Sequence, residues 1–93
     1  MGFIAKHVKQ PAEVLDYRFD FREFLQGVND VADTFTVEAT DGVTVESSSM
    51  VRGVVSAFVS GGVSGRTYKL SATLTTVGGR VKQLDIQLKV KEI

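Results

Sequence analysis

The sequence has no cysteine, no tryptophan, one proline and one histidine among its 93 residues. The absence of cysteine excludes disulfide bonds, a thiolate nucleophile and sulfur-based metal sites. The single histidine, His7, has no partner at ligand spacing, so a zinc site, which needs three or four such ligands, is not expected. No apolar run reaches the roughly 20 residues that cross a bilayer, and we expect no membrane partner.

Neither charge sign is in excess, because eleven Lys and Arg residues balance eleven Asp and Glu residues. A domain that binds nucleic acid normally carries a basic surplus, so no nucleic-acid partner is expected. The first residues show neither the apolar region nor the small-residue cleavage site of a signal peptide, which predicts synthesis in a cytoplasm.

Alternation of apolar and polar residues with a period of two recurs along most of the chain and predicts half-buried β-strands. Residues 50–60 have apolar side chains at both odd and even positions, which would point to opposite faces of a strand. We therefore predict one strand that is covered on both faces or by a partner subunit. Strands of this length between turn signals spaced roughly 8–12 residues apart are typical of a sandwich. The predicted fold is all-β: a single immunoglobulin-like antiparallel β-sandwich of about seven strands.

Two further features divide the chain. Residues 1–12 are predicted to form an N-terminal arm, which can fold back or pair with a neighbour's sheet edge and become ordered on assembly; residues 13–93 form the sandwich. The aromatic strand at residues 15–21 is followed by a predicted helical turn near residues 22–26, ended by Gly27 in a left-handed conformation. Phe24 and the adjacent leucine would cap the open end of the sandwich.

The alternation also predicts which residues form the core, the turns and an interface. The predicted core residues are Leu15, Tyr17, Phe19, Phe21, Phe24, Phe35, Tyr68, Leu70, Leu74, Leu84, Ile86 and Leu88. The predicted turn glycines are Gly42, Gly61, Gly62, Gly65, Gly78 and Gly79, the last two in a two-residue hairpin turn. Val81 is out of phase with residues 84–90, which predicts a bulge near Lys82 and Gln83. The apolar residues predicted to meet partners are Phe3, Ile4, Val8, Val51, Val54 and Phe58.

The polar clusters do not form a catalytic set. Asp16, Asp20 and Glu23 could pair as the acid and base of a glycosidase, but they alternate with apolar residues and are predicted to face water. The hydroxyls of residues 47–49 lack a positioned base, and the glycines of residues 61–65 lack the lysine and the helix of a phosphate loop. We predict no enzyme activity, no catalytic residue, no metal site and no cofactor.

An alternative function is that of an immunoglobulin-like or fibronectin-like binding module, which would recognise a glycan or a host surface through strand-end loops. Asp30, Asp33, Asp41 and Arg66 are the candidate loop residues, and the three carboxylates could also contribute to a calcium site. The absence of tryptophan and of a predicted exposed aromatic platform, on which a sugar ring could stack, argues against this hypothesis.

The sequence resembles a group of small tailed-phage proteins described as fiber-tail or tail adaptor proteins. The similar segments are KQPAEVLDYRFDFREFLQGVNDVADTFTV, residues 9–37, and VSGGVSGRTYKLSATLTTVGGRVKQLDIQLKVKE, residues 59–92. The similarity is strongest at Leu15-Asp16-Tyr17, at Gly61-Gly62, at Gly65-x-Thr67-Tyr68 and at residues 75–80. Where the group usually has tryptophan, this chain has Phe21, Phe24 and Phe35.

The resemblance implies a non-enzymatic structural protein of a tailed phage or prophage virion, made in the cytoplasm of the bacterial host. It implies an adaptor in the tail or head–tail region that acts through multivalent protein–protein contacts. The implied partners are other virion proteins of the tail, connector or fiber, together with further copies of the same chain in a homo-oligomer. The motif glycines would set turns, and Tyr68 suits a tyrosine corner.

Overall fold

The computed structural model describes residues 3–93, which form seven β-strands and one short helix. In chain order the elements are β1 (Ala5–Lys9), β2 (Leu15–Asp20), α1 (Arg22–Val28), β3 (Ala32–Ala39), β4 (Val43–Val51), β5 (Val54–Gly61), β6 (Thr67–Thr76) and β7 (Val81–Val90). The prediction of an all-β sandwich with one short helical element is confirmed.

The strands form a four-stranded sheet of order β1-β7-β6-β3 and a three-stranded sheet of order β2-β5-β4. All neighbouring strands are antiparallel except β1 and β7, which are parallel. β3 and β4 contact each other at one lateral side of the sandwich. β1 and β2 are therefore the edge strands of the opposite side, where the rings of His7 and Tyr17 lie 5.1 Å apart.

The core lies between the two sheets and is built from every second residue of each strand, because successive side chains of a strand point to opposite faces. Its buried members are Tyr17, Phe19, Phe21, Val43, Val55, Val59, Tyr68, Leu70, Ala72, Leu74, Ile86, Leu88 and Val90. Phe35 and Leu84 are half-buried and pack against this cluster. Each large apolar side chain that is fully buried stabilises the fold by about 1.5–3 kcal/mol relative to an exposed position.

The helix α1 closes one end of the sandwich, which we call the helix end. Phe21, the residue before the helix, is fully buried, and Leu25 packs against the core. Phe24 is only half-buried and lies 5.6 Å below the Lys82 ammonium group, so its prediction as a core residue is wrong. The stop predicted at Gly27 is also wrong, because the helix continues to Val28 and the left-handed residue is Asn29, with φ 51°. Asparagine adopts this conformation more readily than most residues.

The single strand predicted over residues 50–60 is wrong, because a hairpin turn divides it. Arg52 and Gly53 both have positive φ, 51° and 81°, as a two-residue type I′ turn requires. The apolar residues after the turn do occupy both faces of β5: Val55, Ala57 and Val59 are buried, and Phe58 is exposed. An Arg-Gly pair flanked by apolar residues is a weak turn signal. The sequence pattern therefore did not predict this turn.

Two predictions about β7 and the loop before it also fail. The register between β6 and β7 runs without a shift from Thr67–Lys89 to Thr75–Val81, so there is no bulge at Lys82 and Gln83. Val81 is out of phase because it points outward and is 67% exposed. The loop of residues 77–80 is longer than a two-residue turn, and of its two glycines only Gly79 has a positive φ.

The described part of the segment predicted as an arm folds back onto its own chain, and residues 1 and 2 of that segment lie outside the described residues. β1 pairs with β7 from Ala5 opposite Ile86 to Lys9 opposite Val90, so no partner is needed to order it. The boundary predicted at residue 12 falls in the connection between β1 and β2.

Candidate interaction surface

A buried lysine closes the other end of the sandwich, which we call the lysine end. Lys9 is 0% exposed, and its ammonium group donates hydrogen bonds to the carbonyl oxygens of Gly61 (2.6 Å), Gln10 (2.8 Å) and Pro11 (3.3 Å). Burial lowers the pKa of Lys9, and the nearby Glu13 carboxylate partly opposes this shift. The lysine ties the start of the chain to the end of β5.

Tyr68 fixes the loops at the lysine end. Its hydroxyl accepts a hydrogen bond from the backbone N–H of Val63 at 2.9 Å, the type of contact that defines a tyrosine corner. Gly42 lies against the ring, and a Cβ atom there would come within 2.7 Å of Tyr68 Cε1. Since α1 covers one end and Lys9 the other, the sandwich exposes mainly its lateral sides and the outer faces of its sheets.

The β1–β2 side carries an open groove with apolar walls. One part, of about 500 Å³, is lined by His7, Val8, Leu15 and Tyr17, among others. A second part, of about 550 Å³, continues from Arg18 towards the helix end and is lined mainly by apolar surface. Leu15, predicted in the core, is 39% exposed here, because the first residue of an edge strand has neighbours on one side only. The groove therefore exposes a patch of several neighbouring apolar side chains, and not a single exposed apolar residue.

The outer face of the three-stranded sheet has a different character. Val51 and Phe58 are 65% and 46% exposed, and the half-buried Val54 lies beside Val51 in the strand register. Hydroxyl side chains surround them, and the Ser60 hydroxyl donates to the Glu46 carboxylate. These three apolar residues belong to the predicted interface set, and all three point away from the core.

The loop acids of the alternative reading do not converge. Asp30 lies at the helix end, where it is hydrogen-bonded to Arg80 and to the backbone of Gly78. Asp41 lies at the far end of β3 and lines a shallow cavity of about 340 Å³ with Phe3 and Arg66. An eight-residue strand separates the two carboxylates by about 25 Å, so they cannot share one ligand.

Residues 3–93 contain neither a metal-binding cluster nor a membrane-spanning helix. Among residues 3–93 no group of three or more His, Cys, Asp and Glu side chains could hold a metal ion. No helix within the same residues is long and apolar enough to cross a membrane. The notable polar groups, Lys9 and Asp30, have hydrogen-bond partners within the fold.

The family described as podophage GP4 fiber-tail adaptor protein gp77 matches residues 9–89. The chain belongs to this family. No curated protein matches the chain. Membership in the fiber-tail adaptor family confirms the resemblance seen in the sequence and makes the chain a structural component of a phage virion, whose partners are other virion proteins. The matched region begins at the buried Lys9, the last residue of β1, and ends in β7, so it contains β2–β6, α1 and most of β7 but leaves out the rest of β1.

The family residues noted in the sequence mainly build the fold. Tyr17 is a core residue, Gly62 leaves no room for a Cβ beside Val90, and Arg80 binds Asp30. The sequence pattern predicted neither the burial of Lys9 nor the ion pair of Asp30 with Arg80. Both depend on groups 50 or more residues away, so no local pattern could have revealed them.

Proposed function

We propose that this protein joins the tail and the fiber of a podophage as a non-enzymatic adaptor, through several protein–protein contacts made by several copies of the chain. The family match over residues 9–89 is the observation that carries this proposal. A sandwich whose ends are covered by α1 and by Lys9 leaves its lateral sides and the outer faces of its sheets available for such contacts.

The outer face of the three-stranded sheet is the proposed contact with a tail or fiber protein. It exposes Val51 and Phe58 beside Val54, and burying such side chains in an interface is favourable. Arg18, Asp20 and Arg22 line an open cavity of about 400 Å³ with Val51 and Val54, which places charged groups around an apolar centre. An apolar centre with a polar rim is the usual anatomy of a protein–protein interface.

The test replaces Val51 and Phe58 by serine in a phage genome and measures the copy number of the protein in purified particles by quantitative mass spectrometry. We expect a loss of incorporation together with an unchanged free energy of unfolding of the purified protein. The control replaces Val63 and Val81, which are 57% and 67% exposed on other surfaces, and should incorporate normally. Normal incorporation of the Val51 and Phe58 variant would refute this contact, and absence of the wild-type protein from particles would refute the adaptor function.

A further inference from the structure

One lateral side of the sandwich is acidic, and the edge strand β1 of the opposite side is basic. Residues 30–51, which include β3 and β4, contain five acidic residues and no Lys or Arg. The acidic residues are Asp30, Asp33, Glu38, Asp41 and Glu46. β1, at the opposite edge, contains Lys6, His7 and the buried Lys9 and no acidic residue. The charges of β2 are mixed, so the contrast is sharpest between β1 and β3.

Two of these charges, on Lys6 and Glu38, form no salt bridge among residues 3–93. The salt bridges of residues 3–93 join Arg22 to Asp20 and Arg80 to Asp30, and they involve neither Lys6 nor Glu38. Lys6 lies opposite Gln87 and Glu38 opposite Ser71, on the parity of their strands that faces away from the core. Both side chains are exposed. Each edge of the four-stranded sheet thus presents an unpaired charge on the same outer face.

The directions of the edge strands allow copies to join side by side. β1 is parallel to β7, and β7 and β3 are both antiparallel to β6, so β1 and β3 run in the same direction. β2 and β4 are both antiparallel to β5 and therefore also run in the same direction. A single sideways displacement of a second copy would bring its β1 beside β3 of the first copy. The same displacement would bring its β2 beside β4 of the first copy. Each edge strand has unpaired backbone groups on its open side, which can accept another strand.

We propose that the β1–β2 side of one copy binds the β3–β4 side of the next, with Lys6 of one copy near Glu38 of the other. This inference takes its biological setting from the adaptor function proposed above. The contact is heterologous because it joins two different surfaces of the chain. Successive copies related by such a contact form a closed ring when the rotation from one copy to the next divides a full turn evenly. A symmetric contact between two β1–β2 sides would instead place the Lys6 residues of both copies together, and like charges repel.

Side-by-side packing also gives the outer face of the three-stranded sheet a common orientation in all copies. Val51 and Phe58 would then recur at regular intervals along the assembly. Weak contacts at each copy add up when several are made together, so the assembly would provide the multivalency that the adaptor function requires.

The first test reverses the charges on the purified full chain and measures its mass by sedimentation velocity over a range of protein concentration and salt. We expect wild-type protein to self-associate, and Lys6→Glu or Glu38→Lys alone to weaken association by about tenfold or more, as expected for a close charge pair. An equimolar mixture of the two variants regains association, because each then offers the other a complementary side. Arg52→Glu, at the helix end, is the control and leaves association unchanged. Wild-type protein that stays monomeric, or a mixture without recovery, overturns the proposal.

The absence of cysteine allows a second test with a clean background. A variant with both Lys6→Cys and Glu38→Cys should give a ladder of disulfide-linked multimers on mild oxidation, whereas the two single variants mixed together should give mainly the mixed dimer. Efficient dimerisation of either single variant alone would indicate a symmetric contact and overturn the proposal. If both tests fail while Val51 and Phe58 still control incorporation into particles, the adaptor function stands and the side-by-side packing falls.

Discussion

The guanidinium of Arg80 donates a 2.8 Å hydrogen bond to Oδ2 of Asp30, a residue 50 positions earlier in the chain. The other carboxylate oxygen accepts from the backbone N–H groups of Val31 at 2.8 Å and Gly78 at 3.2 Å. The Asp30 side chain is 8% exposed. These bonds fasten the start of β3 to the loop between β6 and β7 and hold the helix end together.

Replacement of Asp30 by asparagine should reduce the sensitivity of the fold to acid. The hydrogen bond from the Thr76 hydroxyl, with those from Val31, Arg80 and Gly78, lowers the pKa of Asp30 from 3.8 to about 2. A carboxylate whose pKa is lowered by folding stabilises the native state fully above its ordinary pKa, and this contribution is lost as the pH falls towards the lowered value. Between about pH 4 and pH 2 the free energy of unfolding of Asp30→Asn should therefore fall less steeply than that of the wild type. Denaturant unfolding at several pH values measures this, with Asp33→Asn as the control for loss of one carboxylate; equal slopes for Asp30→Asn and wild type would contradict it.

Replacement of Lys9 by methionine should destabilise the fold. Methionine keeps the apolar stem but leaves the carbonyl oxygens of Gln10, Pro11 and Gly61 without their donor. A buried polar group that loses its partner costs about 1–3 kcal/mol, and we expect a loss of this size in urea unfolding at neutral pH. Lys6→Met changes the same type of side chain at an exposed position and should alter stability by less than about 0.5 kcal/mol. Equal stability of the two variants would show that the ammonium group of Lys9 is not needed.

Replacement of Gly42 by alanine should be more harmful than the same change at Gly65. Both residues have positive φ, 111° and 93°, but only at Gly42 would a Cβ collide with another residue, Tyr68. The backbone conformation alone costs alanine about 1–2 kcal/mol, and the collision adds roughly 1–3 kcal/mol. Thermal unfolding of the two variants separates these contributions, because nothing lies within 4 Å of a Cβ at Gly65. A larger loss at Gly65 would argue against the packing of Tyr68 on this turn.

Replacement of Tyr17 by phenylalanine should leave stability unchanged or raise it slightly. The hydroxyl of Tyr17 is buried, and it has no hydrogen-bond partner among residues 3–93. A buried polar atom without a partner is unfavourable, and removing it restores about 1 kcal/mol in the favourable case. Chemical denaturation of Tyr17→Phe and of Tyr68→Phe gives a matched comparison, because the Tyr68 hydroxyl is hydrogen-bonded to Val63. A loss at Tyr17 as large as the loss at Tyr68 would mean that the first hydroxyl has a partner such as water.

The alternation of residue types in the sequence was sufficient to predict the sandwich, because the inward parity of β2, β6 and β7 is a local property of each strand. Phe19, Leu74 and Ile86 are fully buried for this reason. The alternation does not predict burial at positions of a strand that no other element covers. Leu15 keeps the inward parity but lies at the start of an edge strand, and it is partly exposed. Parity predicts the direction of a side chain and not whether another element covers it.

The partners of β1 and the surfaces of the molecule could not be predicted from the sequence. The burial of Lys9 depends on a carbonyl 52 residues away, and the charge contrast between β1 and β3 matters only because these strands lie at the two edges of their sheet. The apolar character of Ile4, Val8, Val51 and Phe58 predicts an interface, but their distribution over two separate surfaces follows only from the sheet order. The motif residues identify the family, but those whose contacts are visible, such as Tyr68 and Arg80, hold the fold together, so they say little about where partners bind.

The parallel pairing of β1 with β7 determines how the sandwich would respond to mechanical force. A pull applied at Ala5 and at Val90 acts in opposite directions along two adjacent parallel strands, whose paired segment runs from Ala5–Ile86 to Lys9–Val90. Such a load shears all the hydrogen bonds of the segment at once and does not open them one by one. Single-molecule pulling between these two positions should therefore show a high unfolding force, and a low one would mean that β1 peels away. In the proposed position between a tail and a fiber, the short edge strand β1 would be the element that bears tension.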